Sequence, residues 1–344
     1  MKALRKLKAG KGAIFCDVPI PIIDQTDLLI KIKATALCKS DVEVYEWSDL
    51  LTSLNFPLPV TMGHEFLGEV VEVGGLVTNF KVGDHISGET HVPCGYCHTC
   101  RTGNQHICSN HMKIIGRSLD GSFADYIKVP VVSAIKVDKG LPAKHGALLE
   151  PLAVAVHSLT KANIFGKSIV ILGCGTIGLM TVELAKVLGA SKVIAVSTTP
   201  SKLKCALKLG ADLVINSKET NLVEVVMEET KGLGVGAVID NTGNEKLIND
   251  AIDILQIAGT FVFVGMVDTS LEIKQFMKRV AFRELLLTGI YGRKMYETWD
   301  IVENVLEVGR LKLESYVAAE IPLSDYEKGI EMFSTLPGRV IMYP

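Results

Sequence analysis

Short apolar runs broken by glycine and turn residues dominate the first 150 positions. Leu28–Ala34, Glu69–Val73, Asp84–Ser87 and Phe123–Val129 read as short strands. An irregular, cysteine-bearing lobe at 93–112 interrupts them. From about Ala155 the texture changes. Ser168–Leu172 is a continuous apolar run, the signature of a strand buried on both faces of a parallel sheet. Ile177–Leu188 has helical length and periodicity, and Val193–Ser197 is a second strand. Lys202–Leu209, Ala237–Asp240, Lys246–Ile257 and Thr260–Val264 continue the alternation, which predicts a doubly wound α/β domain. After about Tyr291 the pattern is mixed again. The expected organisation is therefore one unit from 1–152 and 291–344, and a dinucleotide-type unit at 153–290. No internal repeat or low-complexity tract interrupts it.

Length and charge narrow the function classes. A chain of 344 residues can bury two cores. A formal charge of −2 without any Lys/Arg-rich run argues against nucleic acid as the partner. The lysine-studded segment Met1–Gly12 lacks the apolar stretch of a signal peptide, and no apolar run approaches the roughly 18 residues of a membrane helix. A cytoplasmic protein with no membrane partner is expected. In that setting, four of the eight cysteines within fifteen residues point to metal rather than to disulfides.

Those four, Cys94, Cys97, Cys100 and Cys108, are spaced C-x2-C-x2-C-x7-C, with Gly95 and Gly103 supplying flexibility. Four thiolates complete a tetrahedron and leave no place for substrate, so the expectation is a structural zinc. The spacing lacks the proline-flanked fourth cysteine of bacterial iron–sulfur sites. Gly173-Cys174-Gly175-Thr176-Ile177-Gly178 is a G-x-G-x-x-G that follows a strand and opens a helix. In that context the glycines let a pyrophosphate approach the helix N-terminus. The expected cofactor contacts are Gly173, Gly175, Thr176, Ile177 and Gly178, with Thr242, Val264 and Gly265. The second strand ends in Ser197-Thr198-Thr199-Pro200-Ser201-Lys202, with no acidic residue for a ribose 2′-hydroxyl. Ser197, Thr198, Thr199 and Lys202 suit a 2′-phosphate, which favours NADP over NAD.

A second metal site is suggested by Gly63-His64-Glu65, by Cys38 upstream, and by Glu150 at a Glu-Pro junction. A catalytic zinc needs about three protein ligands and one open position, and Cys38, His64 and either Glu65 or Glu150 could provide them. The run Gly63-His64-Glu65-x2-Gly68-x5-Gly74-x2-Val77 resembles the zinc signature of medium-chain alcohol dehydrogenases. The cysteine lobe, the glycine motif and Glu150-Pro151 follow in the same order as in that family. The resemblance implies a GroES-like, mostly-β catalytic domain beside a Rossmann domain, two zinc ions per chain and a homodimer or homotetramer. Within the family, the segment 289–299 (Gly-Ile-Tyr-Gly-Arg-Lys-Met-Tyr-Glu-Thr-Trp) is similar to that of L-threonine 3-dehydrogenases, as are Tyr45-Glu46-Trp47 and 88–95. The chain departs from that group at Lys39 and Glu43, where glycine and histidine are usual, and at Ala153-Val154, where Gly-Asn is usual. Sorbitol-type polyol and sugar dehydrogenases share the Glu-Pro-Leu-Ala-Val-Ala pattern.

The resemblance implies hydride transfer between the secondary alcohol of a small polar substrate, or the matching ketone, and NAD(P). A polyol, sugar or sugar acid is the alternative substrate, and a non-catalytic nucleotide-binding protein is the rival class. Cys38, His64 and Glu150 are the implied ligands of the catalytic zinc, with Glu65 a ligand that exchanges with water or stands behind the others. Ser40 is placed to relay a proton or is a simple turn hydroxyl. Asp41 orients His64 through its ring N–H or caps a helix. His91 beside the lobe and Arg293 are looser candidates; Arg293 suits a substrate carboxylate or a neighbouring subunit. His98, His106 and His111 receive no role, and Cys16, Cys174 and Cys205 are expected to be ordinary buried thiols.

Overall fold

The computed structural model describes residues 1–53, 56–267 and 270–344. The chain forms two compact units, one of Met1–Pro151, Lys294–Trp299 and Leu313–Pro344, the other of Leu152–Arg293 and Asp300–Lys312.

The first unit is built on a mainly antiparallel sheet. Its centre is the strand Asp27–Ala36, whose burial alternates in Ile30, Ile32 and Ala34 against exposed Lys31 and Lys33. Glu65–Val73 pairs along its whole length on one side, and Tyr126–Pro130 pairs near its start. At its far end Arg339–Tyr343 joins through Ile341↔Ala36 and Met342↔Thr35, and carries Val317–Pro322 beyond it. His85–Gly88 and Ala134–Val137 complete the other edge. A smaller sheet of Ile14–Asp17, Lys2–Lys6 and Val60–Thr61 packs Leu4 with Leu37, Val44, Met62 and Phe123 into a second core.

The second unit is a six-stranded parallel sheet in the order Leu213–Asn216, Lys192–Ser197, Ser168–Leu172, Val235–Asp240, Leu255–Phe263, Leu286–Gly289. The reversal of order lies between Ser168–Leu172 and Val235–Asp240, the place where an open α/β sheet leaves a crevice for a ligand. Val170, Leu172, Ile194, Val196 and Val238 are fully buried, which explains their unbroken apolar sequence.

Some boundaries move from the sequence expectation for identifiable reasons. The strand expected over Phe123–Val129 starts at Tyr126, because Phe123 exchanges backbone bonds with Met62 and Leu4 instead. The helix expected over Lys246–Ile257 stops at Asp253, since Leu255 is drawn into register with Val235. The stretch Asp300–Lys312 belongs with the dinucleotide unit rather than with the first, and the Lys312 N–H donates to the Glu183 carboxylate there at 3.1 Å. Cys174 is buried, but Cys16 and Cys205 are only half-buried. Among the described residues, no helix is long and apolar enough to cross a membrane.

Candidate metal centres and cofactor site

In the lobe the four sulfurs close on one point. Cys97 Sγ lies 3.4 Å from Cys100 Sγ and 3.7 Å from Cys108 Sγ, and Cys94 Sγ lies 4.0 Å from Cys100 Sγ. A tetrahedron with zinc–sulfur bonds of about 2.3 Å has sulfur edges of about 3.8 Å, so the spacing fits that ion. The backbone turns donors toward the same sulfurs: Cys94 N–H to Cys108 Sγ at 3.5 Å and Cys97 N–H to Cys94 Sγ at 3.4 Å. Gly95 and Gly103 have positive φ. His98 and His111 are exposed, while His106 is buried at the lobe's base.

A second group forms where the central strand ends. Cys38 caps the helix Lys39–Glu46, and Glu65 opens the neighbouring strand. One ligand atom each from Cys38, His64 and Glu65 lies within 4.8 Å of the others. The donor set of sulfur, imidazole nitrogen and carboxylate oxygen fits zinc. Asp41 ties the group together. Its Oδ2 accepts the Cys38 N–H at 3.0 Å, and its Oδ1 lies 3.3 Å from His64 Nδ1. Burial opposes a charge on His64, yet the Asp41 carboxylate and Cys38 raise its pKa well above the usual imidazole range. Ser40 is half-buried one residue before Asp41, and Lys39 pairs with Glu43 at 3.6 Å on the same helix.

Gly63 makes this corner possible. Its φ is +91°, and a Cβ there would stand 2.2 Å from the Phe123 ring. Only glycine lets the chain turn there and deliver His64 and Glu65 in succession. The turn is held from behind by the Ser122 N–H on Gly63 O at 3.0 Å and by the Thr35 hydroxyl on Glu65 O at 2.8 Å.

Glu65 is fully buried, and both its oxygens are already engaged. Arg339 donates from Nε to Oε2 at 2.8 Å and from Nη2 to Oε1 at 2.7 Å, with Nη2 also 3.7 Å from Cys38 Sγ. Burial pushes the Glu65 carboxyl up to about 7, with Arg339 pulling it down and Glu150 pushing it further up. Glu150, in the first turn of the helix Leu149–Ala162, is buried and close enough to make itself felt at Glu65, but it stands outside the 4.8 Å trio. His91 is buried; its N–H donates to Glu89, which also accepts the Trp299 indole N–H, each at 3.0 Å.

In the dinucleotide unit, Gly175 caps the helix Thr176–Val187. A Cβ on Gly178 would stand 1.9 Å from Gly173 O, so the helix can meet the strand this closely only with glycine. Thr242 donates its N–H and hydroxyl to Asp240 Oδ1 at 2.9 and 2.5 Å, beside the glycine turn. Val264 and Gly265 close the same edge through their N–H bonds to Asp240 O. Ser197 ends the second strand and its Oγ accepts the Thr199 N–H at 3.3 Å; Thr198 is exposed. Burial pushes the Cys174 thiol up to about 12, and the Lys202 ammonium opposes that shift, which sets its charge beside the glycine turn. Arg293 is buried in this unit.

Residues 24–139 match the model of the alcohol dehydrogenase GroES-like domain, and 176–307 that of the zinc-binding dehydrogenases. Over 346 aligned positions, covering 100% of this chain and 99% of the relative, the sequence is 40% identical to an L-threonine 3-dehydrogenase of Caldanaerobacter subterraneus subsp. tengcongensis. The chain belongs to the zinc-binding alcohol dehydrogenase family. It is also similar to the L-threonine 3-dehydrogenase of Escherichia coli, at 35% identity over 99% of both chains. Among solved structures, a zinc-binding dehydrogenase from Sinorhizobium meliloti bound to NADP superposes with TM-score 0.88 at 30% identity, over 100% of this chain and 99% of that one. The 2R,3R-butanediol dehydrogenase of Bacillus subtilis does so with TM-score 0.88 at 29% identity and the same coverage. As a member of this family the chain is an oxidoreductase that uses zinc and a nicotinamide cofactor.

Against that family background, the residue the sequence reading missed is Arg339. Its signal is an arginine directly before the apolar run Val340-Ile341-Met342, where a buried strand position demands a carboxylate partner. Nothing local says that the partner stands 274 residues earlier.

Proposed function

We propose that the enzyme oxidises the secondary alcohol of a small polar substrate, or reduces the matching ketone, with L-threonine as the first candidate. The full-length likeness to L-threonine 3-dehydrogenases carries this reading. Zinc bound at the inner centre supplies Lewis acidity, lowering the pKa of an alcohol oxygen. Cys38, His64 and Glu150 are its ligands in this proposal. Glu65 is reserved for Arg339, whose bidentate hold leaves neither oxygen unengaged. Asp41 fixes the His64 ring through Nδ1 and so presents the other ring nitrogen inward. Ser40, on the helix that Cys38 caps, relays the alcohol proton, taking it up as its own hydroxyl proton passes on to water. The lobe holds a second, structural zinc with no open position, giving two per chain. The substitution of Glu43 for the usual histidine favours a diol or polyol as the second reading, consistent with the butanediol dehydrogenase likeness.

For the cofactor, the hydroxyls of Ser197, Thr198 and Thr199 and the charge of Lys202 support NADP over NAD. A homodimer or homotetramer is supported by the edge strand Leu286–Gly289, which among the described residues pairs only with Leu255–Phe263, and by the exposed Phe276, Phe282 and Leu286 of the same unit. The cytoplasm is its proposed compartment, since eight cysteines without a disulfide among them suit a reducing one. Purified, zinc-loaded enzyme assayed with L-threonine and 2,3-butanediol, each with NAD and NADP, tests the reading. Turnover of neither alcohol with either cofactor refutes it.

A further inference from the structure

Away from both metal groups, the first unit contains a cavity of about 460 Å³, within the range that encloses small organic ligands. Its walls come from Val60–Thr61, from the loop 113–121 and from the strand Tyr126–Pro130. Much of the surface is apolar, from Pro21, Pro57, Pro59, Leu119 and Ile127. Lys113, Arg117, Lys128, Asp24, Asp27 and Asp120 are the residues with charged side chains among those that line it.

The carboxylates are accounted for. Lys128 lies 3.3 Å from Asp24 and 3.7 Å from Asp27, and Asp27 also accepts the Asp24 N–H. Asp120 Oδ1 accepts the Thr61 N–H at 2.7 Å and lies 3.6 Å from Arg5. The cations of the loop are not. Among the described residues, neither the half-buried Arg117 guanidinium nor the Lys113 ammonium has a carboxylate partner. The loop that carries them is fixed in shape, with Arg117 and Ser118 N–H groups on Ile114 O and Gly116 at positive φ. Two unpaired cations on a rigid loop, at the rim of an apolar cavity, are the arrangement that recognises an anion with an apolar body.

We propose that this cavity is a second ligand site, taking a small organic phosphate or carboxylate whose acidic group sits on Arg117 and Lys113. Along the chain its wall at Thr61 is three residues from His64, and the Gly121 N–H holds Thr61 O at 2.8 Å. The proposal does not depend on which alcohol is the substrate.

Calorimetric titration of zinc-loaded, NADP-saturated enzyme with phenyl phosphate and, separately, benzoate tests it, the bound cofactor keeping the pyrophosphate site occupied. Saturable binding of at least one probe is expected. The Lys113→Glu/Arg117→Glu variant should weaken it at least about tenfold, a loss near 1.4 kcal/mol. Alcohol turnover and the circular dichroism spectrum should match the parent, because neither residue belongs to the proposed catalytic machinery. Arg117→Lys, which keeps the charge, should retain binding. Preference for phosphate or for carboxylate identifies the acidic group. Absence of saturable binding with both probes, or binding unchanged in the double variant, overturns the proposal.

Discussion

Replacing Arg339 with methionine removes the guanidinium that holds both oxygens of its partner, leaving only the neighbouring His64 to offset that charge. Glu65 is fully buried and Arg339 is 4% exposed, so water cannot take over either charge. Breaking one side of such a pair costs about 3–5 kcal/mol, because the remaining charge is left in a poorly polarisable interior. In a domain of this size each kcal/mol shifts the midpoint by about 2–4 °C, so Arg339→Met should lower it by roughly 6–20 °C. The assay is differential scanning calorimetry at pH 8 on metal-free protein, which separates the pair's contribution from that of zinc. The loss should fall on the transition of the first unit and spare that of the dinucleotide unit. The Glu65→Gln/Arg339→Met double variant should recover most of the deficit, since neutralising both members of a buried pair costs far less than orphaning one. A drop below about 2 °C for the single variant, against the roughly 6 °C minimum, would show that the pair is solvated and the argument wrong.

Gly178→Ala places a Cβ 1.9 Å from a backbone oxygen, so the helix must retreat from the turn; titration by nicotinamide fluorescence should show at least about tenfold weaker cofactor binding, near 1.4 kcal/mol. Metal analysis should find two zinc ions per chain in the parent and one after Cys97→Ser/Cys100→Ser, and retention of both ions would count against the lobe as a tetrathiolate site. Lys202→Glu should move the ratio of NADP to NAD affinity at least about tenfold toward NAD, since a carboxylate repels a 2′-phosphate; an unchanged ratio removes Lys202 from cofactor selection. Ser40→Ala should reduce kcat about 10²–10⁴-fold while leaving zinc content and cofactor affinity intact, the signature of a lost proton relay.

What the sequence discloses follows how local each device is. The four lobe cysteines lie within one short stretch, and the glycine motif directly joins a strand to a helix, so spacing alone reveals both. Cys38 and Asp41 share one helical turn and His64 follows Gly63, which makes these residues readable as chemistry, but it takes the family resemblance rather than spacing to group them into one site. Their assembly depends on strand register, with Ala36 opposite Glu65 across the sheet, and register has no local signature. The division of labour between Glu65 and Glu150 was likewise open, because it turns on Arg339 from a distant strand. The boundary errors share that origin: Phe123 and Leu255 follow long-range partners rather than their neighbours' periodicity.

The order in which the parts leave the ribosome has a consequence of its own. Cys38, His64 and Glu65 are made early, yet the cation that neutralises Glu65 arrives 274 residues later. At translation rates of about 5–20 residues per second, that interval is roughly 15–55 s. The dinucleotide unit, encoded almost wholly in between, has its full sheet available first and can fold while the earlier unit waits. During that wait the nascent segment around residues 38–65 holds reactive thiol and imidazole groups without its closing strand. Glu65 therefore waits for its counter-charge until the strand Arg339–Tyr343 is made, whereas the cysteine lobe has all four sulfurs as soon as residue 108 emerges.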